Sequence, residues 1–255
     1  MNSALDGFTD VLVDQEGPIL VLTLNRPEKK NALTPGMYSI LAKSLREASG
    51  DFGVRVVIIR GAGSALTGGN DIMDFLNTPP TGPESPVFDF LYALHDFPKP
   101  LIIALHGNAV GIGTTMLLHA DLVYSAPDAK LSMPFVSLGL VPEAGSSLLF
   151  PKLVGHLKAS EIFLTGRSFG AEEAKEMGLV NEIVADPYSR ALEIAREISE
   201  QPPTAVVNTK ALLKSGVHQA VSMVMEAEGE LFRIALDSDE AKSAFMNFLA
   251  KKTKK

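Results

Sequence analysis

An α/β fold with parallel strand connections is predicted by three features of this 255-residue chain. Compact aliphatic runs at residues 19–24, 54–60, 100–105 and 122–124 carry almost no polar side chains, as strands covered on both faces do. Segments with helical signals lie between these runs, around 34–48, 87–95 and 112–119. From Ala171 onward the pattern turns almost wholly helical.

Taken in order, residues 8–13 and 19–24 read as strands joined by Asp14-Gln15-Glu16-Gly17-Pro18, a hairpin-like connection. Thr34 is an N-cap and Pro35 fits the first helical position, opening a helix to about Ala48. The β-branched run 54–60 follows as a buried strand, and 100–105 and 122–124 repeat it. Asn77-Thr78-Pro79-Pro80-Thr81-Gly82-Pro83 is the clearest loop, because its prolines and glycine preclude a regular element. Helices are expected at 171–177, 188–200, 204–214, 218–236 and 239–250, with 179–184 as the one strand candidate among them. This division gives a core of residues 1–195 and a helical C-terminal region of residues 196–255.

Composition narrows the function classes. Hydrophobic residues are 46% and charged residues 21%, a globular balance with a sizeable core. No apolar run is long enough to cross a bilayer, and Met1-Asn2-Ser3-Ala4-Leu5-Asp6 lacks a signal-peptide pattern, so no membrane role and a cytoplasmic location are expected. The formal charge of −7 argues against nucleic acid as a partner, since such binding rests on neutralising phosphates. With no cysteine there is no disulfide, thiol nucleophile or thiolate metal site. Arg26, Lys29 and Lys30 form a local basic cluster, whereas Lys251, Lys252, Lys254 and Lys255 read as a solvated tail.

Chemistry is signalled by two glycine turns and one glutamate. Leu66-Thr67-Gly68-Gly69-Asn70-Asp71-Ile72 and His106-Gly107-Asn108-Ala109-Val110-Gly111-Ile112-Gly113 each follow an apolar run. Glycines at a strand's end let the main chain turn sharply and bring bare N–H groups to a ligand. Two such donors aimed at one carbonyl oxygen would form an oxyanion hole. The second turn could also hold a pyrophosphate, but no acidic residue for a ribose follows and no Tyr-x-x-x-Lys pair is present. Close helix–sheet packing is the other reading of its glycines. Asp71 and Asp74 read as helix-capping residues rather than a metal pair, and no metal spacing occurs among the five histidines. No Gly-x-Ser-x-Gly elbow surrounds Ser137, Ser146 or Ser147. Glu143, between Pro142 and Ala144-Gly145, fits either a helix N-terminus or a proton-transferring carboxyl, and burial would raise its pKa.

Together these segments resemble the crotonase (enoyl-CoA hydratase/isomerase) superfamily. The resemblance also rests on residues 24–33 (LNRPEKKNAL), on Ala120-Asp121-Leu122-Val123-Tyr124-Ser125, on Leu164-Thr165-Gly166 and on Ala174-x-x-x-Gly178-Leu179-Val180. It implies a crotonase-type spiral of repeated β-β-α units with a helical C-terminal trimerisation region, and a homotrimer or dimer of trimers. The implied ligand is an acyl-CoA thioester, which is the substrate, with no separate cofactor. Alignment to the motifs makes Asn70 and Ile112 the oxyanion-hole donors, beside Gly68, Gly69, Asp71, Ile72 and Gly111. The 26–33 loop, around Lys29 and Lys30, would contact the adenine and phosphate end of coenzyme A.

Departures from the family pattern sharpen the expectation. Hydratases of this family carry two glutamates, and this sequence has Thr115 and Phe135 at those positions. Neither side chain can serve as a general base near neutral pH. Glu143 instead matches the single glutamate of the Δ3,Δ2-enoyl-CoA isomerase branch, and residues 133–147 look like the peroxisomal-type isomerases. Another acyl-CoA reaction, including hydration or thioester hydrolysis, and a non-catalytic acyl-CoA-binding role are the alternatives. Fatty-acid oxidation and aromatic-acid degradation both use such an isomerisation.

Overall fold

The structure, a computed structural model, describes residues 10–252 except 78, 81 and 83. Residues 8 and 9 of the first expected strand, three residues of the proline-rich loop and the end of the basic tail lie outside that set. In chain order the strands are β1 (Val11–Glu16), β2 (Ile19–Leu24), β3 (Val56–Gly61), β4 (Ala65–Thr67), β5 (Leu101–Leu105), β6 (Asn108–Val110), β7 (Leu122–Ser125), β8 (Lys130–Ser132), β9 (Ser168–Gly170) and β10 (Glu182–Ile183). The helices are α1 (Pro35–Gly50), α2 (Ile72–Asn77), α3 (Pro86–His95), α4 (Ile112–Thr115), α5 (Ser146–Val154), α6 (His156–Thr165), α7 (Ala171–Glu176), α8 (Pro187–Ser199), α9 (Pro203–Ser215), α10 (His218–Asp237) and α11 (Asp239–Lys252).

Two sheets result. The larger has the order β1-β2-β3-β5-β7-β10, antiparallel only at the β1–β2 hairpin. The smaller has the order β4-β6-β8-β9, with β9 antiparallel to β8. Each pass of the chain supplies a strand to the large sheet, then a short strand to the small one, then helix: β3-β4-α2, β5-β6-α4 and β7-β8-α5. This is the expected spiral of β-β-α units, and it stacks every β4-type strand end beside the next.

The largely apolar central strands are explained by two cores. Side chains alternate across a sheet, so Leu22, Leu24, Val57, Ile59, Ile103 and Leu105 enter the main core with α1 and α3. Ile19, Val21, Val56, Ile58, Ile102 and Ala104 face the opposite way, where Ala191 and Ala195 of α8 cover them. β1 extends through Asp14-Gln15-Glu16, which was read as loop, because an edge strand with one exposed face tolerates polar residues. Thr34 caps α1 as expected, its hydroxyl accepting from Met37 N–H at 3.3 Å.

Strands β4, β6, β8 and β9 have three residues each, too few to show a period. The expected strand at 179–184 shrinks to β10, and the helix expected at 112–119 is one α turn followed by a 3₁₀ turn, Met116–His119. Among the described residues no helix is long and apolar enough to cross a membrane.

Candidate active site

Parallel neighbours β4 and β6, paired through Thr67 and Ala109, end side by side, which sets both glycine turns at one edge of the small sheet. Gly69 has φ +87°, and a Cβ there would come within 2.9 Å of the Val110 carbonyl oxygen. Only glycine fits both the conformation and the approach. Leu33 N–H donates to Gly69 O at 2.8 Å, and Asp71 N–H donates to Leu33 O at 2.9 Å. Those bonds fix the chain on either side of Asn70. The intervening Asn70 N–H faces away from Leu33, and it meets no acceptor among the described residues.

Gly111, with φ +55°, makes the second turn, anchored by its own N–H on Ser132 O at 2.9 Å. Its carbonyl accepts from Thr114 and Thr115, closing the first turn of α4. Ile112 N–H, first in that turn, likewise meets no acceptor among the described residues. α4 has only four residues, so its contribution to an anion is these local N–H groups more than an aligned dipole. Gly113 serves packing: a Cβ there would lie 2.5 Å from the Thr67 side chain. Gly68, Gly69, Asn70, Ile72 and Gly111 line one cavity of about 450 Å³, otherwise walled by Phe75, Phe135, Leu138, Leu140 and side chains of α10 and α11. A second cavity of about 440 Å³, between α1, α2 and the start of α3, shares Phe75 and includes Tyr38.

Glu143 lies outside the lining of the first cavity and is buried, with 6% of its surface exposed. Thr115 Oγ1, three residues beyond Ile112, donates a short hydrogen bond to its carboxyl. Tyr38 donates a short bond to the Asn70 side chain and is close enough to feel the Glu143 charge. Burial pushes the Glu143 carboxyl up to about 8, the Thr115 hydroxyl pulls it down, and the carboxylate of Glu228 pushes it up again.

The reading of Glu143 as a helix-end carboxylate meets a different arrangement. Ala144 and Gly145, both left-handed at φ +63° and +68°, turn the chain before α5 starts. It is Glu228 of α10 that meets the N-terminus of α5, accepting from Gly145 N–H at 2.6 Å and Ser147 N–H at 2.8 Å. His119 completes the turn: its Nε2–H donates to Ala144 O at 2.7 Å, and burial holds the ring neutral, at about 3.

Lys29 and Lys30 are exposed beside the first turn. Lys30 and Asn31 both take left-handed conformations, and Gly68 N–H donates to Lys30 O at 2.7 Å. Asn31 is fully buried; its Nδ2 spans the carbonyls of Ala62, Ala65 and Leu66, and its Oδ1 accepts from Arg26 N–H. Asp71 pairs with Arg26 at 3.3 Å and accepts from Met73 N–H at 3.2 Å, so it caps α2 as the sequence suggested. Sequence reasoning gave no role to Tyr38, Asn31, His119 or Glu228. Asn31 lay within a quoted motif, whereas Glu228 sits in an amphipathic helix with nothing local to mark it. Among the described residues, His95, Asp96 and His218 bring possible metal-ligand atoms within 4.8 Å of one another. Their two imidazoles are stacked at 4.2 Å and 26°, so the nitrogen lone pairs run side by side instead of converging.

A spiral of β-β-α units carrying two unpaired amides over an apolar cavity, with a buried carboxyl nearby, defines the class. Residues 14–255 match the family described as enoyl-CoA hydratase/isomerase, and the chain belongs to that family. It is similar to enoyl-CoA delta isomerase 2 of Homo sapiens, 33% identical over 97% of this chain and 65% of that protein. The chain therefore spans about two thirds of that relative's length. It is also 32% identical to the 1,2-epoxyphenylacetyl-CoA isomerase of Escherichia coli, over 95% of this chain and 96% of the other. Among solved structures, Pseudomonas aeruginosa OdaA superposes with a TM-score of 0.93 at 45% identity, covering 94% of this chain and 99% of that one.

Proposed function

We propose that this protein moves the double bond of a 3-enoyl-CoA thioester to the 2 position, with Glu143 as the single proton carrier. The observation that carries the reading is that Glu143 is the one buried carboxyl, among the described residues, with no main-chain amide on it. The other buried glutamate, Glu228, has both oxygens committed to amides. The similarity to a relative named enoyl-CoA delta isomerase supports the same reading.

In this reading the thioester oxygen sits between the N–H groups of Asn70 and Ile112. Glu143 removes a proton from C2, electrons shift to give a dienolate with its charge on that oxygen, and the same proton returns at C4. The two amides bind the oxygen more strongly as charge develops, each contributing roughly 3–4 kcal/mol in comparable sites. Atoms balance without water, metal or redox partner. Hydration would need a second carboxyl to activate water, and Thr115 and Phe135 cannot supply one. Phe135 and Leu140 keep the cavity apolar and limit access of water. Lys29 and Lys30 would meet the phosphates of coenzyme A. A homotrimeric, cytoplasmic enzyme belongs to the same proposal, and exposed Leu212, Leu213, Met223 and Leu231 on α9 and α10 suit contact between copies.

The deciding experiment adds 3-enoyl-CoA and follows the ultraviolet absorbance of the conjugated 2-enoyl thioester. Growth in wild type and none in Glu143→Gln is the expected result. Binding of acyl-CoA with no absorbance change in either protein overturns the proposal, and loss of absorbance from a 2-enoyl substrate moves it to hydration.

A further inference from the structure

The turn bearing Glu143 has an energetic problem that its own residues do not solve. Ala144 is a non-glycine residue in the left-handed region, a placement costing about 1–2 kcal/mol that persists only where surroundings impose it. At the start of α5, Ser146 N–H bonds Glu143 O and Leu148 and Leu149 N–H bond Gly145 O, which leaves Gly145 N–H and Ser147 N–H without an acceptor in the turn itself. Ser146, the hydroxyl nearest the helix start, is fully buried and its Oγ makes no hydrogen bond. Gly145, at the N-cap, has no side chain to offer.

We infer that Glu228 is a positioning residue for Glu143: its carboxylate, held by Gly145 N–H and Ser147 N–H, fixes the turn that presents Glu143 and places a negative charge behind that turn. The inference rests on Glu143 being the proton carrier.

Three observations give Glu228 this role. Its two oxygens divide between two amides, at 2.6 and 2.8 Å, so both rotation and translation of the α5 N-terminus are restrained. Its helix cannot drift: a Cβ at Gly145 would come within 2.7 Å of Val221 and one at Gly229 within 3.0 Å of Phe88, and Val221, Met225 and Phe232 are buried. Its burial opposes ionisation, but the amides oppose that effect, whereas Glu143 has only the Thr115 hydroxyl. Glu228 therefore ionises first, and its charge makes Glu143 hold its proton to higher pH.

The groups facing this pair come from several elements. Tyr38 of α1 and Thr115 of α4 face Glu143, while His119 holds Ala144 O and stays neutral. Lys214 of α9 reaches the His119 carbonyl at 3.1 Å. Neither Thr115 nor His119, which bond Glu143 and Ala144, is a cation near neutral pH, so they do not neutralise the charge of Glu228 there.

The test separates charge from reach. Glu228→Gln keeps the volume and removes the charge together with one of the two acceptor oxygens; Glu228→Asp keeps the charge and both oxygens and shortens the arm. Titration of the Glu143 carboxyl is read by infrared difference spectra against Glu143→Gln, which needs no turnover and so stands apart from the isomerase assignment. In Glu228→Gln the Glu143 midpoint is expected to fall by about half a pH unit, with kcat down about tenfold and acyl-CoA affinity unchanged. In Glu228→Asp the midpoint should stay near wild type while kcat falls. An unmoved midpoint or wild-type kcat in folded Glu228→Gln overturns the inference. Should that variant not fold, undiminished kcat in Glu228→Asp overturns it. A shifted midpoint with no isomerase activity in any protein leaves the positioning role intact and removes the proposed reaction.

Discussion

The amide side and the carboxyl side of this site are built in opposite ways. On the amide side each donor directly follows a glycine just past a short strand, and its direction is set by backbone bonds alone: Asn70 through the Leu33 main chain, Ile112 through Gly111, whose N–H is held by Ser132 of β8. On the carboxyl side, Glu143 is held by Thr115, its turn by His119, and the following helix by Glu228, which is 85 positions further along the chain (228 minus 143). A backbone site depends on conformation, so glycine substitutions are its weak point. A side-chain site depends on tertiary partners, so substitutions far from the chemistry reach it.

The largest expected effect breaks the carboxyl side outright. Glu143→Gln is isosteric and cannot carry the proton, and loss of positioned proton transfer should lower kcat by about 10²–10⁴-fold. Acyl-CoA affinity measured by calorimetry should stay within a few-fold of wild type. A variant retaining near-normal turnover would remove Glu143 from the reaction.

Next comes the amide side. Gly69→Ala forces a Cβ to within 2.9 Å of the Val110 carbonyl at a φ of +87°. The turn must move, and misplacing one oxyanion donor costs about 10²–10³ in kcat. Gly170→Ala, where nothing lies within 4 Å and φ is −95°, is the matched control and should leave kcat unchanged. Equal loss in both variants would mean that general destabilisation, not donor geometry, is being read.

The same contrast explains what the sequence could reveal. The amide side was legible because its determinants are local: an apolar strand, glycines, then Asn70 or Ile112. The large sheet was legible too, since its central strands are six- and five-residue runs, apolar except for Thr23 and Arg60 near their ends, with cores on both faces. The small sheet was not, since a three-residue strand such as Asn-Ala-Val carries no periodicity. α5 was legible only as a possible helix start at Glu143: the left-handed pair Ala144 and Gly145 delays that start to Ser146, and Pro151 reads as a break within it. Glu143 could be singled out, but Glu228, which holds the turn after it, could not, because tertiary packing alone brings α10 to the start of α5.

The smallest effect sharpens the comparison through pH. The acid limb of kcat/KM reports the free enzyme's essential base, and Glu143 is held at about 8. Protonated below that value and charged above it, Glu143 should make kcat/KM rise with pH and level off on the alkaline side. Thr115→Val keeps the volume of the side chain nearly unchanged but removes the hydroxyl that stabilises the charged carboxyl. The limb should then move to higher pH. Because a hydrogen bond to a charged group contributes about 1.5–3 kcal/mol, kcat/KM at pH 7 should fall about tenfold, whereas the alkaline plateau changes little. The ranking depends on pH for that reason: this substitution alters when the base is available, not where it sits. A limb that stayed in place would mean that the Thr115 hydroxyl bonds the protonated and charged forms of Glu143 equally, a limb moved to lower pH that it bonds the protonated form, and a lowered plateau with no shift would make Thr115 part of the geometry instead.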